Sequence, residues 1–301
     1  MKVLVTGSSG MLGQVLSRKL QEDGATVVRT CRSGASGALA ADLTDENAVK
    51  GLFGDGPYEA VYHTAAYSDV DGCERDPERA RRANALATRS LAGYCSETGA
   101  VLVHVSTDYV FSGQKDSPYV ETDPTGPVNI YGLTKLESEY HALHARIPSA
   151  VVRTSWLFGG PKETDFVNAI VRRLRSDRVV RVLDDQIDCP TSAEDLSTAL
   201  TAIAEALLER RRRGADGAEV YHVCNTGATT RLEMARCIRD ILGLGDASVE
   251  RLSRQDIPGR LAVRPRRNVM SVERFEREFG RRLRPWQESL RDYLVSAPCA
   301  S

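Results

Sequence analysis

A tyrosine and a lysine stand four residues apart in the segment Tyr131-Gly-Leu-Thr-Lys135, and Thr107 ends an apolar run upstream of them. On a helix, this spacing places the phenol and the ammonium on one face, one turn apart. A free phenol has a pKa near ~10, and a neighbouring ammonium is expected to lower it toward the range of an acid catalyst. If Thr107 holds a substrate oxygen against Tyr131, the three side chains could reduce a ketone or oxidise an alcohol, provided that a hydride donor lies nearby.

The N-terminal segment has the pattern of a dinucleotide-binding loop. A short apolar strand ends at Thr6, a glycine-rich turn follows, and a helical stretch then runs to about residue 22. Glycines allow a tight turn, and the N-terminus of the helix attracts the pyrophosphate of a dinucleotide. By itself this motif is a weak signal, but the strand before it and the Tyr/Lys pair downstream make it strong. The predicted cofactor contacts in this loop are Gly7, Ser9, Gly10, Met11, Leu12 and Gly13.

Composition narrows the class of protein. The 301 residues are 42% apolar and 27% charged, which is typical of a water-soluble chain, and no apolar run reaches the ~20 residues of a membrane span. The start of the chain does not resemble a signal peptide, and seven scattered cysteines without metal-ligand spacing favour free thiols. We therefore expect a cytoplasmic protein without a metal. A net charge of −1 argues against nucleic acid as a partner.

Strand and helix patterns alternate through the first half of the chain, which predicts a Rossmann-like, doubly wound parallel α/β sheet. We expect residues 1–155, joined by about 191–225, to form the dinucleotide-binding domain. Residues 156–190 and 226–301 should form a smaller C-terminal α/β lobe for the substrate. The predicted strands are 3–6, 26–30, 60–63, 101–106, 150–154, 179–183 and 220–224, and the predicted helices are 11–22, 45–53, 76–97, 132–145, 193–212 and 230–242.

The end of the second strand indicates which cofactor is preferred. An acidic residue at this position would bind the ribose 2′-hydroxyl of NAD. This chain instead has Arg29-Thr-Cys-Arg32-Ser33, and guanidinium groups suit a 2′-phosphate. Arg29 and Arg32 therefore predict NADPH, with NADH as the second option. The alternative is that both arginines are only exposed loop charges.

Together these motifs resemble the extended short-chain dehydrogenase/reductases, and among them the dTDP-4-dehydrorhamnose reductase family over nearly the whole chain. The resemblance implies that Thr107, Tyr131 and Lys135 are catalytic, that NAD(P)H is the cofactor and that a 4-keto nucleotide sugar is the substrate. The segments that carry it are 6–13, 106–111, 131–136, 153–156 and 185–191.

The family pattern and the strand ends complete the expected site. The further cofactor contacts are Asp42, Leu43, Ala65, Ala66, Tyr67, Ser106 and Thr154. The expected substrate contacts are Asp108, Tyr109, Trp156 and Arg264, the last of these against the nucleotide diphosphate. Trp156 could instead pack in the core. Related dehydratases have a glutamate where this chain has Tyr109, so simple ketone reduction fits better than elimination of water.

Some features leave alternatives open. Asp165 and Asp188 depart from the family pattern, so they could recognise an altered sugar or be exposed loop acids. The chain also resembles the NADP-binding regulatory β subunit of methionine adenosyltransferase, and its last 51 residues hold twelve arginines against six acids, which could dock on a partner. A nucleotide-sugar epimerase is the other alternative. A homodimer is the expected assembly if the chain self-associates.

Overall fold

The structure is a computed structural model that describes residues 1–54, 56–161, 165–252 and 259–296. Parts of the predicted C-terminal lobe, residues 253–258 and 297–301, lie outside this description. In chain order, the strands are β1 (Lys2–Thr6), β2 (Thr26–Cys31), β3 (Leu39–Ala40), β4 (Ala60–His63), β5 (Val101–Thr107), β6 (Ser149–Thr154), β7 (Leu157–Phe158), β8 (Val179–Leu183), β9 (Ile187–Asp188), β10 (Thr191–Ser192), β11 (Ala218–His222), β12 (Thr229–Thr230) and β13 (Ser248–Leu252).

The helices alternate with these strands in the first half of the chain. In chain order they are α1 (Met11–Glu22), α2 (Glu46–Leu52), α3 (Val70–Arg75), α4 (Pro77–Arg81), α5 (Ala87–Thr98), α6 (Ile130–Leu143), α7 (Phe166–Ser176), α8 (Ala193–Arg212), α9 (Arg231–Ile241), α10 (Glu273–Phe279) and α11 (Trp286–Ser296). None of these helices is both long and apolar enough to cross a membrane.

A seven-stranded parallel sheet in the order β11-β6-β5-β4-β1-β2-β3 is the centre of the fold, which confirms the predicted fold class. Its central strands β4, β5 and β6 are buried along almost their whole length because both faces are covered. In β1, Val3 and Val5 pack with α1 and α8 on one face, whereas Leu4 packs with α2, α5 and α6 on the other. Side chains alternate along a strand, so this one segment contributes to both cores.

A second apolar cluster lies outside the main sheet. Residues of α7, α9 and α11 pack there against the parallel pair β8–β13. Trp286 and Leu290 of α11 are buried in it. This cluster is built from the segments predicted to form the substrate lobe, and the exact division of the chain into two lobes stays a prediction.

The predicted helix 76–97 is interrupted. After α4 the chain forms a π-helical turn, Arg82–Leu86, before α5 begins. A π turn inserts one extra residue per turn, which no periodicity of the sequence announced. It positions Asn84, whose side chain accepts a hydrogen bond from the backbone N–H of Tyr67 at 2.7 Å and donates one to Thr134 Oγ1 at 3.0 Å. The turn therefore ties the loop after β4 to α6.

A buried ion pair fixes α6 on the sheet. Arg153 of β6 donates to Glu139 of α6 through Nε at 2.9 Å and through Nη2 at 2.7 Å. Ser106 of β5 adds a hydrogen bond to the same carboxylate at 2.6 Å. Glu139 is 1% and Arg153 4% exposed, so both charges depend on this contact.

Arg153→Leu should lower the free energy of unfolding by about 3–5 kcal/mol, because it leaves the carboxylate of Glu139 buried without its cation. Urea denaturation followed by circular dichroism measures the change. The control is Arg213→Leu, which removes an exposed partner of Glu209 and should change stability by less than about 1 kcal/mol. Equal losses in the two variants would contradict the role of the buried pair.

Candidate active site

The glycine loop closes tightly against the next strand of the sheet. Gly7 has a φ of +65°, and a Cβ there would lie 2.7 Å from the backbone of Ala65. A Cβ on Gly13 would lie 2.3 Å from the carbonyl oxygen of Gly7. Glycine is therefore required for the loop and α1 to approach this closely. The first N–H groups of α1, at Met11 to Gly13, have no acceptor within the helix and lie at the wall of a cavity, which suits a pyrophosphate.

That cavity, of about 1060 Å³, runs along the carboxyl ends of the parallel strands. It brings together almost every residue that the sequence predicted for the site. Its walls include Gly7, Ser9, Gly10, Met11, Leu12, Gly13, Arg32, Asp42, Leu43, Ala65, Ala66, Tyr67, Ser106, Thr107, Asp108, Tyr109, Tyr131, Lys135, Thr154 and Trp156. The residues expected to bind a dinucleotide and those expected to perform chemistry thus share one space.

The first turn of α6 carries Tyr131 and is held by contacts that only small residues permit. Asn129 caps the helix by accepting a hydrogen bond from the N–H of Gly132 at 2.8 Å. A Cβ on Gly132 would lie 2.1 Å from the carbonyl oxygen of Tyr109. The helix therefore packs directly on the turn after β5, which brings Tyr131 to Thr107.

Burial sets the protonation of Tyr131 and Lys135. Burial raises the pKa of Tyr131 above its ordinary value, and a hydrogen bond with Thr107 opposes this shift only in part. The expectation that Lys135 lowers the pKa of the tyrosine is therefore wrong for the protein without cofactor. Burial of the phenol is the dominant effect, and the ammonium of Lys135 itself donates to the carbonyl oxygen of Val105 at 2.8 Å and lies 3.3 Å from Nε2 of His104. Tyr131 is a neutral phenol, the form that can donate a proton.

Lys135 is 2% exposed, and burial lowers its pKa to about 8. The charge of Glu139 acts in the opposite direction but is the smaller effect. At neutral pH the folded protein therefore keeps a buried ammonium at a cost in stability. Such a group is retained for function rather than for the fold.

Two buried carboxyl groups lie behind Thr107. Thr107 donates a hydrogen bond to Asp108 Oδ1 at 3.0 Å, and the side-chain amide of Asn268 lies 3.3 Å from Oδ2. Asp188 is 1% exposed, and apart from the neighbouring carboxyl of Asp108 its oxygens have no hydrogen-bond partner among the described residues. Burial raises the pKa of Asp108 to about 6 and that of Asp188 well above its ordinary range. Asp188 is thus a buried acid and not an exposed loop residue.

Tyr109 and Trp156 form apolar parts of the cavity wall. The ring of Tyr109 meets that of Tyr131 edge-on with centroids 5.8 Å apart, and its hydroxyl accepts from Gln186 at 3.1 Å. Trp156 has a φ of +37°, the only positive value outside glycine among the described residues. For a bulky residue this backbone is strained, and such strain clusters at binding sites. Trp156 thus lies at the cavity and not in the core alone.

Two predicted contacts are not on the cavity wall. Arg29 lies on β2 with its guanidinium beside Gly37, two residues before the strand ends at Cys31, whereas Arg32 follows that end. Arg264 forms a two-point ion pair with Asp71, with both N–O distances at 2.7 Å. This pair lowers the pKa of Asp71 and already occupies the arginine. The structure therefore does not place Arg29 against a cofactor or Arg264 against a substrate.

Sequence reasoning missed other cations at the cavity. Arg79 of α4 and Arg82 of the π turn line it near Arg32, and Arg79 stacks on the ring of Tyr67 at 4.6 Å. Their signal in the sequence, a run of arginines after Pro77, is that of any exposed helix. Arg231, the first residue of α9, lines the cavity beside Asp165 and Phe166. Only the packing of the second lobe brings it there.

Lys135→Met should raise the thermal unfolding midpoint at pH 7 while lowering activity. A shift of one pKa unit corresponds to ~1.4 kcal/mol, so the ammonium costs stability wherever it is charged in the folded state. Because burial lowers the pKa of Lys135 to about 8, this cost is complete below pH 8 and is relieved as the pH rises from there toward the ordinary lysine value. Calorimetry between pH 7 and pH 10 should therefore show the two midpoints converging. A constant difference would contradict the assignment.

The chain has relatives of known structure and known name. The family model described as "RmlD substrate binding domain" matches residues 1–298. The dTDP-4-dehydrorhamnose reductase of Mycolicibacterium smegmatis is 36% identical over 296 residues, covering 98% of this chain and 85% of that protein. The enzyme of the same name from Streptomyces griseus is 38% identical over 291 residues, covering 95% of this chain and 91% of that protein.

A solved structure shares the whole fold. The dTDP-4-dehydrorhamnose reductase of Bacillus anthracis, crystallised in complex with NADP, is 27% identical and superposes with a TM-score of 0.89. The match covers 98% of this chain and 99% of that one. The resemblance that the sequence motifs indicated is thereby confirmed. The chain belongs to the family defined by the RmlD substrate binding domain. Proteins named dTDP-4-dehydrorhamnose reductase are relatives that it matches over nearly its whole length.

Proposed function

We propose that this chain uses NADPH to reduce the 4-keto group of a deoxysugar nucleotide. Its relatives in Mycolicibacterium smegmatis and Streptomyces griseus are named for a reduction of this kind, as dTDP-4-dehydrorhamnose reductases. The observation that carries the proposal is the convergence of Thr107, Tyr131 and Lys135 in the cavity that also contains the glycine loop. The cavity would then hold the cofactor and the substrate together, next to the residues that transfer the proton.

The residues of the chain supply the proton and the orientation. Bound NADPH supplies the hydride for the ketone carbon. The O–H bond of Tyr131 breaks as its proton passes to the ketone oxygen, which becomes the new hydroxyl. The single O–H donor of Thr107, which points to Asp108 in the structure, turns to hold that oxygen by a hydrogen bond. Lys135 orients the nicotinamide ribose and adds positive charge as the phenolate forms.

The neighbouring residue favours reduction over dehydration. Elimination of water needs a second acid/base, and the side chain after Asp108 is the phenol of Tyr109. Burial raises the pKa of Tyr109 to about 12, so it cannot act as a base near neutrality. Reduction needs one proton donor, and Tyr131 provides it.

The assembly and the location of the protein remain proposals. The exposed face of α6 presents Leu133 and Tyr140, which would suit a homodimer. A biosynthetic enzyme acting on sugar nucleotides would work in the cytoplasm. A regulatory NADP-binding subunit is the alternative, and it would bind cofactor without turnover.

The 2′-phosphate of NADPH has its best partners in Arg32 and Arg82. Both line the cavity, and their positive charges help to lower the pKa of Asp42 nearby. Two guanidinium groups at one place fit a dianionic phosphate better than a hydroxyl.

Arg32→Ala should lower the ratio of kcat/KM for NADPH to that for NADH by roughly tenfold, because it removes a charge-assisted hydrogen bond to the 2′-phosphate. Arg29→Ala is the matched control, since it removes an equal charge three residues earlier, on β2 and off the cavity wall. Steady-state rates with the two cofactors give the ratio. An unchanged ratio in Arg32→Ala, or an equal fall in Arg29→Ala, would contradict the assignment.

Tyr131→Phe should reduce turnover by about 10²–10⁴ because it removes the proton donor. Absorbance at 340 nm during reduction of dTDP-4-dehydro-6-deoxy-L-mannose measures the rate. Binding of NADPH, followed by fluorescence, should be retained since the phenol is not a cofactor anchor.

A small panel of other 4-keto nucleotide sugars extends the same assay. Turnover in the unsubstituted protein that survives in Tyr131→Phe would remove the tyrosine from its role. NADPH binding without turnover of any sugar in the panel would instead favour the regulatory subunit.

A further inference from the structure

Arg231 is a cation in the cavity that forms no ion pair within the described structure. Its guanidinium lies 4.3 Å from the centre of the Trp156 ring and 4.5 Å from that of Phe166. Within the described chain, no carboxylate or carbonyl oxygen accepts a hydrogen bond from it. Burial lowers the pKa of Arg231, so the group is desolvated as well as unpaired. An arginine that is stacked but not hydrogen-bonded has its fork of N–H donors free for a ligand.

Two other arginines of the C-terminal part of the chain differ in this respect. Arg264 is held by Asp71, and Arg260 by Asp185 at 2.9 Å. The charges of Asp188 and Asp108 act on Arg231 from nearby, but neither carboxyl forms an ion pair or a hydrogen bond with it in the described structure. Among the described residues after Trp156, Arg231 is therefore the arginine on the cavity wall whose N–H donors are left for a bound anion.

Polar atoms without partners collect around this arginine. The indole N–H of Trp156 is buried and has no acceptor among the described residues, and its ring lies directly under the guanidinium. Asp165 is 7% exposed; its Oδ1 caps α7 by accepting from the N–H of Asn168 at 2.7 Å, while its Oδ2 has no partner in the described chain. Both side chains line the same cavity. Buried polar atoms are normally paired, so this cluster indicates a site that a ligand completes.

We propose that Arg231 and the indole N–H of Trp156 form an oxyanion subsite for the sugar nucleotide, with the free carboxyl oxygen of Asp165 accepting from a hydroxyl beside it. The subsite rests on the proposed function in that it takes the same substrate. The oxyanion is a phosphate of the diphosphate bridge or a carboxylate carried by the sugar. The aromatic sandwich of Trp156 and Phe166 keeps the guanidinium flat and fixed, so little rotamer freedom is lost on binding.

Calorimetric titration of dTDP into the NADP⁺-loaded protein tests the diphosphate source. Arg231→Leu should weaken dTDP binding by about tenfold or more, because a charge-assisted hydrogen bond is lost, while NADP⁺ affinity stays within about twofold. Arg236→Leu is the matched control: it removes an exposed arginine one and a half turns further along the same helix and should leave dTDP binding unchanged. Thymidine, which has no phosphate, should bind all variants alike.

A second pair of probes tests the carboxylate source. If dTDP binding is unchanged but Arg231→Leu abolishes a preference for UDP-glucuronic acid over UDP-glucose, the oxyanion is the carboxylate of the sugar and the subsite stands. If neither dTDP nor this preference changes, the subsite is refuted.

Two further variants keep the proposal testable if Arg231→Leu does not fold. Trp156→Phe keeps a ring under the guanidinium but removes the N–H, and it should weaken the same probe by a smaller factor than Arg231→Leu. Arg231→Lys keeps the charge but loses the planar fork and should fall between the two extremes. Binding of dTDP through Arg231 in a protein that turns over no 4-keto sugar would overturn the proposed function and leave the subsite intact.

Discussion

The position of α6 depends on one buried charge that must be neutralised. Glu139 lies under the sheet, where an unpaired carboxylate would be unstable, and Arg153 of β6 and Ser106 of β5 both bind it. Three elements therefore meet at one point. Tyr131 lies eight residues before Glu139, about 12 Å along a helix with a rise of 1.5 Å per residue. A helix fixed at that anchor and capped by Asn129 has little freedom left, so the phenol reaches Thr107 with a defined orientation.

The burial that fixes α6 also sets the protonation of the site. Desolvation disfavours charge, so Tyr131 stays a phenol and the pKa of Lys135 falls to about 8. Below Lys135, the stacked rings of His63 and His104 are buried with lowered pKa values and remain neutral. A neutral imidazole can accept from the ammonium without repelling it. Lys135 is thus charged near neutral pH, and its ammonium would stabilise a phenolate that forms on Tyr131.

The parts of this molecule that could be predicted from the sequence are those set by local pattern. The glycine loop, the buried strands and the Tyr131/Lys135 spacing each depend on residues close in the chain. Local pattern could not show that Asp71 would occupy Arg264 across 193 positions of sequence. It could not show the π turn, because the residues Arg82–Leu86 carry no glycine or proline that would mark an interruption. Arg29 and Arg32 are two arginines three positions apart, and the sequence does not distinguish them. The strand ends at Cys31, and only Arg32, which follows that end, reaches the cavity.

The segments predicted to form the second lobe were the least predictable part because several of their strands are short. β7, β9 and β12 have two residues each, too few for any alternation to be seen. The role of Asp165 and Asp188 was open for the same reason: whether an acid is exposed or buried depends on what packs over it. The structure makes both of them buried, and it separates them, since Asp165 lines the cavity and Asp188 does not.

The distribution of charged side chains in the cavity suits reduction of a neutral ketone. Arg32, Arg79 and Arg82 gather near the glycine loop, and Arg231 lies on the second lobe. Contacts of these cations with phosphates are the same in the ground state and the transition state, so they determine binding and not the rate of the chemical step. The hydrogen bonds of Thr107 and Tyr131 strengthen only as negative charge develops on the substrate oxygen. The arginines of the cavity thus serve binding, while Tyr131 gives the proton and the nearby ammonium of Lys135 stabilises the phenolate that remains.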